Sequence, residues 1–275
     1  RGFDETMADN YLKFIEAADL KHSWHPTVPL EKGKLNIDFI LPPPAEMEFI
    51  LPKMGAAFDL AYRRFLDLQK AEAQAREALI ETALERVRAR ALAMHSSREF
   101  MEVAKVLREQ MGALGQRELE TSAVHLYEED PDYILSWRAF RLSTDMESDI
   151  TYGFFKLPKD SCEIAREFSR RFKSEATDYT IEVSGARQEE WYAILFQLAP
   201  EVRDAMIKTG TTKEIRYYHL SKFSGGALLM VSSKLPVSET IELQKRAAQV
   251  FDLAYRRFRD LQKAEEQARE SQIQL

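Results

Sequence analysis

The chain holds one cysteine, Cys162, so it can form no intrachain disulfide and no cysteine-rich metal site. No uninterrupted apolar run approaches the roughly 18 to 20 residues that a bilayer span needs. Positive charge is not in excess: 39 Lys plus Arg stand against 45 Asp plus Glu, a net charge of −6. That balance argues against a dedicated nucleic-acid or anionic-membrane binder. Phosphate loop, nucleophile elbow and dinucleotide fingerprint are all missing. The chain starts at Arg1 without the pattern of a secretory leader. We therefore expect a cytoplasmic fragment with no catalytic machinery of its own and no cofactor required by the sequence.

At 275 residues, 45% hydrophobic and 31% charged, the chain suits one large soluble domain or two small ones. Its most informative feature is internal. Residues 58–77 read FDLAYRRFLDLQKAEAQARE and residues 251–270 read FDLAYRRFRDLQKAEEQARE, so 18 of 20 positions match at an offset of 193. A period that long marks a duplicated domain plus connector, not a solenoid of roughly 20 to 50 residues. The offset continues upstream more faintly: Gly33 falls on Gly226, Pro43 on Pro236, Glu46 on Glu239, and Leu35 and Ile37 on Leu228 and Met230. Residues 1–44 thus read as the C-terminal part of a first domain, 45–97 as a connector helix, 98–237 as a complete second domain and 238–275 as its exit helix. The first copy lacks the residues corresponding to the front of the second.

The repeated segment carries a heptad stripe. Position a takes Phe58, Phe65, Glu72 and Leu79, and position d takes Met54, Ala61, Leu68 and Ala75. Both differences between the copies, Leu66/Arg259 and Ala73/Glu266, fall at the outward b position. The seam recurs as Phe251, Ala254, Phe258 and Leu261. Neither Gly nor Pro interrupts the stretch between Ala56 and Gly112, which favours one long helix. The stripe predicts a coiled-coil spacer rod paired in a homodimer; the competing reading is an amphipathic helix packed on its own domain. Past Leu79 the stripe shifts to Ile80, Leu84, Val87, Ala91 and Met94, a stutter that marks where the helix joins the next domain.

Between the rods, Ser96 and Glu99 make a capping-box pattern for a helix that stops at Gly112 and Gly115. Strands are predicted at 121–128 and 133–141 about an Asp130-Pro131-Asp132 turn, near 150–155, at 179–183, and in a hairpin of 214–220 and 227–233 about Gly225-Gly226. Asp160 with Glu163 opens a helix to about Lys173. Another helix over 188–208 must break or kink at Pro200. Ser238 caps the exit helix. Further upstream, a helix is expected over Glu5–Leu20 and a strand over Lys34–Leu41 with an unpaired edge that invites another chain. The fold class is α+β: an antiparallel sheet flanked by helices, with long connector helices at both ends.

With the rods at 58–94 and 251–270 and the strand order of 98–237, the chain resembles tandem GAF-like sensory domains. Such domains are joined by signalling helices ahead of histidine-kinase or nucleotide-cyclase outputs in bacterial two-component and related systems. The resemblance implies a parallel homodimer and a pocket for a small molecule or protein on one side of the sheet. It also implies a downstream output domain outside these residues.

The residues offer one kind of pocket, an aromatic one. His125 and Tyr127 share a strand face, Trp137 and Tyr133 another, Phe154 and Phe155 precede the helix with Cys162 and Phe168, and Tyr217 and His219 share a hairpin face. We take His125, Tyr127, Trp137, Phe154, Tyr217 and His219 as candidate ligand contacts; the same set would equally fill a core. Arg138 and Arg141 could anchor an anion or be solvated strand charges. His95 lacks the acidic neighbour and the proline four residues on that a phospho-accepting histidine has. Cys162 has no resolving partner and reads as a helix-face residue. The histidines His22, His25, His95, His125 and His219 lack the spacing of a metal site, and no carboxylate cluster is evident near His22 and His25. A ligand-free dimerising spacer is the alternative to a sensor.

Overall fold

A computed structural model describes Lys13 and residues 22–96, 99–116, 119–140, 150–212 and 214–273. The chain divides into two units, Arg1–Arg76 and Glu77–Leu275. The helix expected over Glu5–Leu20 lies outside the described residues apart from Lys13, and Arg141 lies outside them as well.

In the first unit, β1 (Thr27–Leu30) and β2 (Gly33–Asn36) form an antiparallel hairpin, extended by a bridge between Trp24 and Phe39. The helix α1 (Met47–Leu92) begins here and docks on the hairpin. Gly55 allows the approach, since a Cβ there would sit 2.8 Å from the Val28 side chain. The Glu31 backbone N–H donates to Asp59 Oδ1 at 3.0 Å, tying the turn to the helix. His25 meets one carboxylate, Asp38, at 2.6 Å, a neighbour across the hairpin that sequence spacing concealed.

The second unit holds the last turns of α1, then α2 (Phe100–Ala113), β3 (Leu119–Leu126), β4 (Tyr133–Phe140) and β5 (Thr151–Pro158). These are followed by α3 (Glu163–Phe172), β6 (Asp178–Val183), α4 (Gly185–Leu198) and α5 (Pro200–Thr209). The hairpin β7 (Arg216–Phe223) and β8 (Gly226–Ser232) leads into α6 (Ser238–Ile273). The six strands form one antiparallel sheet in the order β5-β4-β3-β8-β7-β6. The α+β expectation holds, and the element boundaries fall close to those predicted. The helix predicted from Asp160 begins at Glu163 instead. Cys162 takes the N-cap in extended conformation, its sulfur accepting from the Ala165 N–H at 3.5 Å. Pro200 breaks its helix in two by standing at the first position of α5, where its missing N–H costs nothing. Of the capping box, only the Glu99 half forms, its carboxylate accepting from the N–H groups of His95 and Ser96.

Alternation along the strands sends side chains into two layers. Val124, Leu126, Trp137, Leu228 and Met230 pack against α2, α6 and the end of α1. Ala123, His125, Tyr127, Leu229 and Val231 face α3, α4 and α5. The shifted stripe of α1 (Ile80, Leu84, Val87, Ala91 and Met94) is buried in the first of these layers, so the stutter does mark the entry into the domain. Arg246 of α6 reaches Glu77 and Glu81 of α1, at 2.6 Å each.

The second copy of the stripe needs a correction. Phe251, Ala254 and Phe258 are buried in their own domain, packed with Phe100, Phe223 and Tyr255. There the competing reading holds, because the sheet presents an apolar surface that the a and d side chains cover within one chain. Leu261, beyond the sheet, is exposed, as are Phe58, Ala61, Phe65 and Leu68 of the first copy.

The duplication is structural as well as sequential. Thr27 pairs with Asn36 and Leu30 with Gly33; 193 residues on, Leu220 pairs with Leu229 and Phe223 with Gly226. The bridge Trp24–Phe39 recurs as Tyr217–Ser232. The bond from turn to helix recurs too, since the Ser224 N–H donates to Asp252 Oδ1 at 2.7 Å as the Glu31 N–H does to Asp59.

Candidate functional site

The layer between the sheet and helices α4 and α5 contains polar groups that an apolar core would not hold. Arg138 on β4 and Arg216 on β7 point into it, both almost completely buried. Burial of an unpaired guanidinium is costly, and each has a partner. Arg138 Nη2 meets the Glu201 carboxylate, delivered by the first turn of α5. Its guanidinium also lies 4.8 Å over the Phe155 ring. Gly153, opposite Arg138 on β5, leaves the space: a Cβ there would stand 2.7 Å from Arg138 Nη2 and 2.9 Å from Glu201 Oε1. Arg216 Nε meets Glu120 at 2.6 Å, and its Nη1 meets Glu214 at 3.1 Å. Burial pushes the Glu120 carboxyl up, opposed by the Arg216 charge.

Arg138, Arg216, Glu120 and Phe155 border a cavity of about 50 Å³, with His125, Ser136, Trp191, Tyr192 and Tyr218 in its wall. Trp191 Nε1 donates to the Tyr218 hydroxyl at 2.8 Å, which fixes that side. His125 is packed against the Phe168 ring at 5.6 Å, and burial pulls its imidazole down to about 3, so it is neutral at physiological pH. Of the residues in the cavity wall, His125 and Arg138 carry buried atoms without a hydrogen-bond partner among the described residues: His125 Nδ1, Arg138 Nε and Arg138 Nη1. The last two lie on different edges of the guanidinium, each shared with the Nη2 that meets Glu201, so each offers a separate donor. The cavity is large enough for a few waters or a small ion.

The six sequence candidates do not converge. His125 and Tyr127 face this layer, and Tyr127 stacks on Phe172 at 4.4 Å outside the cavity wall. Trp137 lies in the opposite layer with Phe154, ring centroids 4.8 Å apart, along a larger groove of about 480 Å³. His219 also belongs to that opposite layer, where Gln244 donates to its carbonyl at 3.0 Å; Tyr217, two residues before it, shares its strand face. Its ring accepts or donates to Thr180 at 2.8 Å, and burial pulls it down to about 4. Of the two arginines considered, Arg138 is the central side chain of the site. Sequence reading missed Glu120, Glu201, Arg216, Trp191 and Tyr218. The one available signal was a charged residue inside an apolar strand, as at Arg138 and Arg216. Among the described residues no three His, Cys, Asp or Glu side chains converge as a metal cage requires, and no helix is long and apolar enough to cross a membrane.

Comparison with protein-family models, with curated proteins and with solved structures gave no match.

Proposed function

We propose that the second unit is a sensory module, GAF-like in its organisation, that takes a small molecule into the Arg138 cavity and communicates with its surroundings through α1 and α6. The observation that supports it is the pair of buried donors Nε and Nη1 of Arg138, without partners among the described residues, on a side chain that lines a cavity beside the neutral ring of His125. A compact ligand with acceptor oxygens, such as a carboxylate, supplies acceptors for those donors. Glu120, Glu201 and Glu214 balance the two arginines, so the site selects for shape and hydrogen bonding rather than for charge alone. Glu201 lies on α5, and a ligand that competes for Arg138 changes how that helix is held; it shifts the module only by its difference in affinity for the two arrangements. The reading assigns no reaction to these residues and leaves any output enzyme to a domain outside them. It puts pairing of two chains at Leu60, Leu68, Leu253 and Leu261, the apolar side chains of the repeated helices that stay exposed in both copies.

The test is a thermal-shift screen of small carboxylates against the 275-residue chain and its Arg138→Met variant. A ligand that raises the melting temperature of the parent and leaves the variant unmoved supports the sensor. The alternative is a ligand-free spacer, favoured by the smallness of the cavity. It predicts that no compound acts and that replacing both Arg138 and Glu201 by apolar residues stabilises the fold, as loss of a buried ion pair often does.

A further inference from the structure

Segments 58–77 and 251–270 dock on their hairpins alike and finish in opposite surroundings. Phe251 and Phe258 are 0% and 5% exposed, whereas Phe58 and Phe65 are 52% and 51% exposed. Sequence does not make the difference; the cover does. In the second unit Phe100, the first residue of α2, places its ring 6.0 Å from Phe251, 6.1 Å from Tyr255 and 5.8 Å from Phe258. Strand β3 then pairs along the outer edge of β8. In the first unit Phe58, Tyr62 and Phe65 stack only on one another among the described residues. There, too, β2 has no described strand on the edge away from β1. Residues 1–21 do not supply the cover by correspondence, because the offset sets them against 194–214, not against α2 or β3.

We infer that Phe58, Tyr62, Phe65 and the free edge of β2 form a docking surface for a helix followed by an antiparallel strand, built like residues 100–126. In the second unit that cover precedes the hairpin in the same polypeptide, and the surface in the first unit takes its occupant from the same side. The occupant's helix carries an aromatic residue in its first turn and apolar residues on the same face, as Phe100, Val103, Ala104, Leu107 and Met111 do. Its strand supplies backbone hydrogen bonds to Gly33–Asn36. The recurring turn-to-helix bonds, Glu31 to Asp59 and Ser224 to Asp252, hold both helices to their hairpins in the same way, so the surface is preformed. One contact differs. Arg259, which pairs with Glu129, is replaced by Leu66, so the occupant needs no carboxylate at that point.

The experiment compares the 275-residue chain with one extended by a second copy of residues 99–215 placed directly before Ser23. The probes are an anilinonaphthalene sulfonate dye and backbone hydrogen exchange. In the unextended chain, Phe58→Ser with Phe65→Ser lowers dye fluorescence several-fold and leaves the melting of the second unit unchanged. In the extended chain the dye signal falls similarly and exchange at Gly33–Asn36 slows at least tenfold. Added residues that stay unfolded, or dye binding and exchange that do not change, overturn the inference. So does dye binding that the serine variant leaves intact. Sedimentation showing a dimer of the unextended chain that the serine variant dissociates also overturns it, because a second copy would then hold the surface. None of these outcomes depends on a ligand at Arg138.

Discussion

His125 enters the core as a neutral ring, held near 3 by burial, and His219 is held near 4 chiefly by the same cause. In the unfolded chain both titrate near 6.5. Between the folded and unfolded values the unfolded chain binds more protons, so stability is complete above about pH 6.5 and is lost as pH falls towards 4. Each histidine contributes up to about 1.4 kcal/mol per pH unit across that window. Urea midpoints in the parent should be level from pH 7.5 to about 6.5 and then fall towards pH 4.5, less steeply in His125→Leu; equal slopes would mean that the ring is not buried neutral. Gly153 makes a second residue-scale test. A valine there would intrude on the Arg138–Glu201 pair, so Gly153→Val should cost about 1–3 kcal/mol by overpacking and abolish ligand binding. A variant as stable as the parent would contradict the geometry.

At the scale of the element, nearly identical helices respond to the same substitution in opposite ways. Phe258→Ala removes a ring packed against Phe100 and should destabilise the second unit by about 3–5 kcal/mol. Phe65→Ala removes an exposed ring and should fall within about 0.5 kcal/mol. Chemical denaturation of both variants checks the pair, and similar losses would show that the two helices share one environment. This contrast also limits what sequence could reveal. Strand and helix positions were readable because β4 and β7 are rich in aromatic residues, and Pro200 and the Gly225-Gly226 turn punctuate the chain. A heptad stripe, however, records only that one face is apolar; whether a sheet or another helix covers it depends on tertiary placement. The site was half visible for a related reason. Arg138 stood out within an apolar strand, but its partner Glu201 lies 63 residues away, on a helix whose docking the local pattern does not specify.

Across the whole molecule, the same hairpin and helix occur twice, once with a complete layered domain around them and once, among the described residues, without one. The second unit has buried layers on both sides of its sheet, while the described part of the first has one hairpin and one helix. Hydrogen exchange should therefore be fast in β1 and β2 and slowest in β3 and β8; equal protection would contradict this division. The central claim is that the Arg138 cavity receives a ligand. Native mass spectrometry of the 275-residue chain and its Arg138→Met variant, each incubated with the compound selected by thermal shift, tests it most directly. The account predicts one added ligand mass per second unit in the parent and none in the variant. Equal retention by both, or by neither, would contradict it.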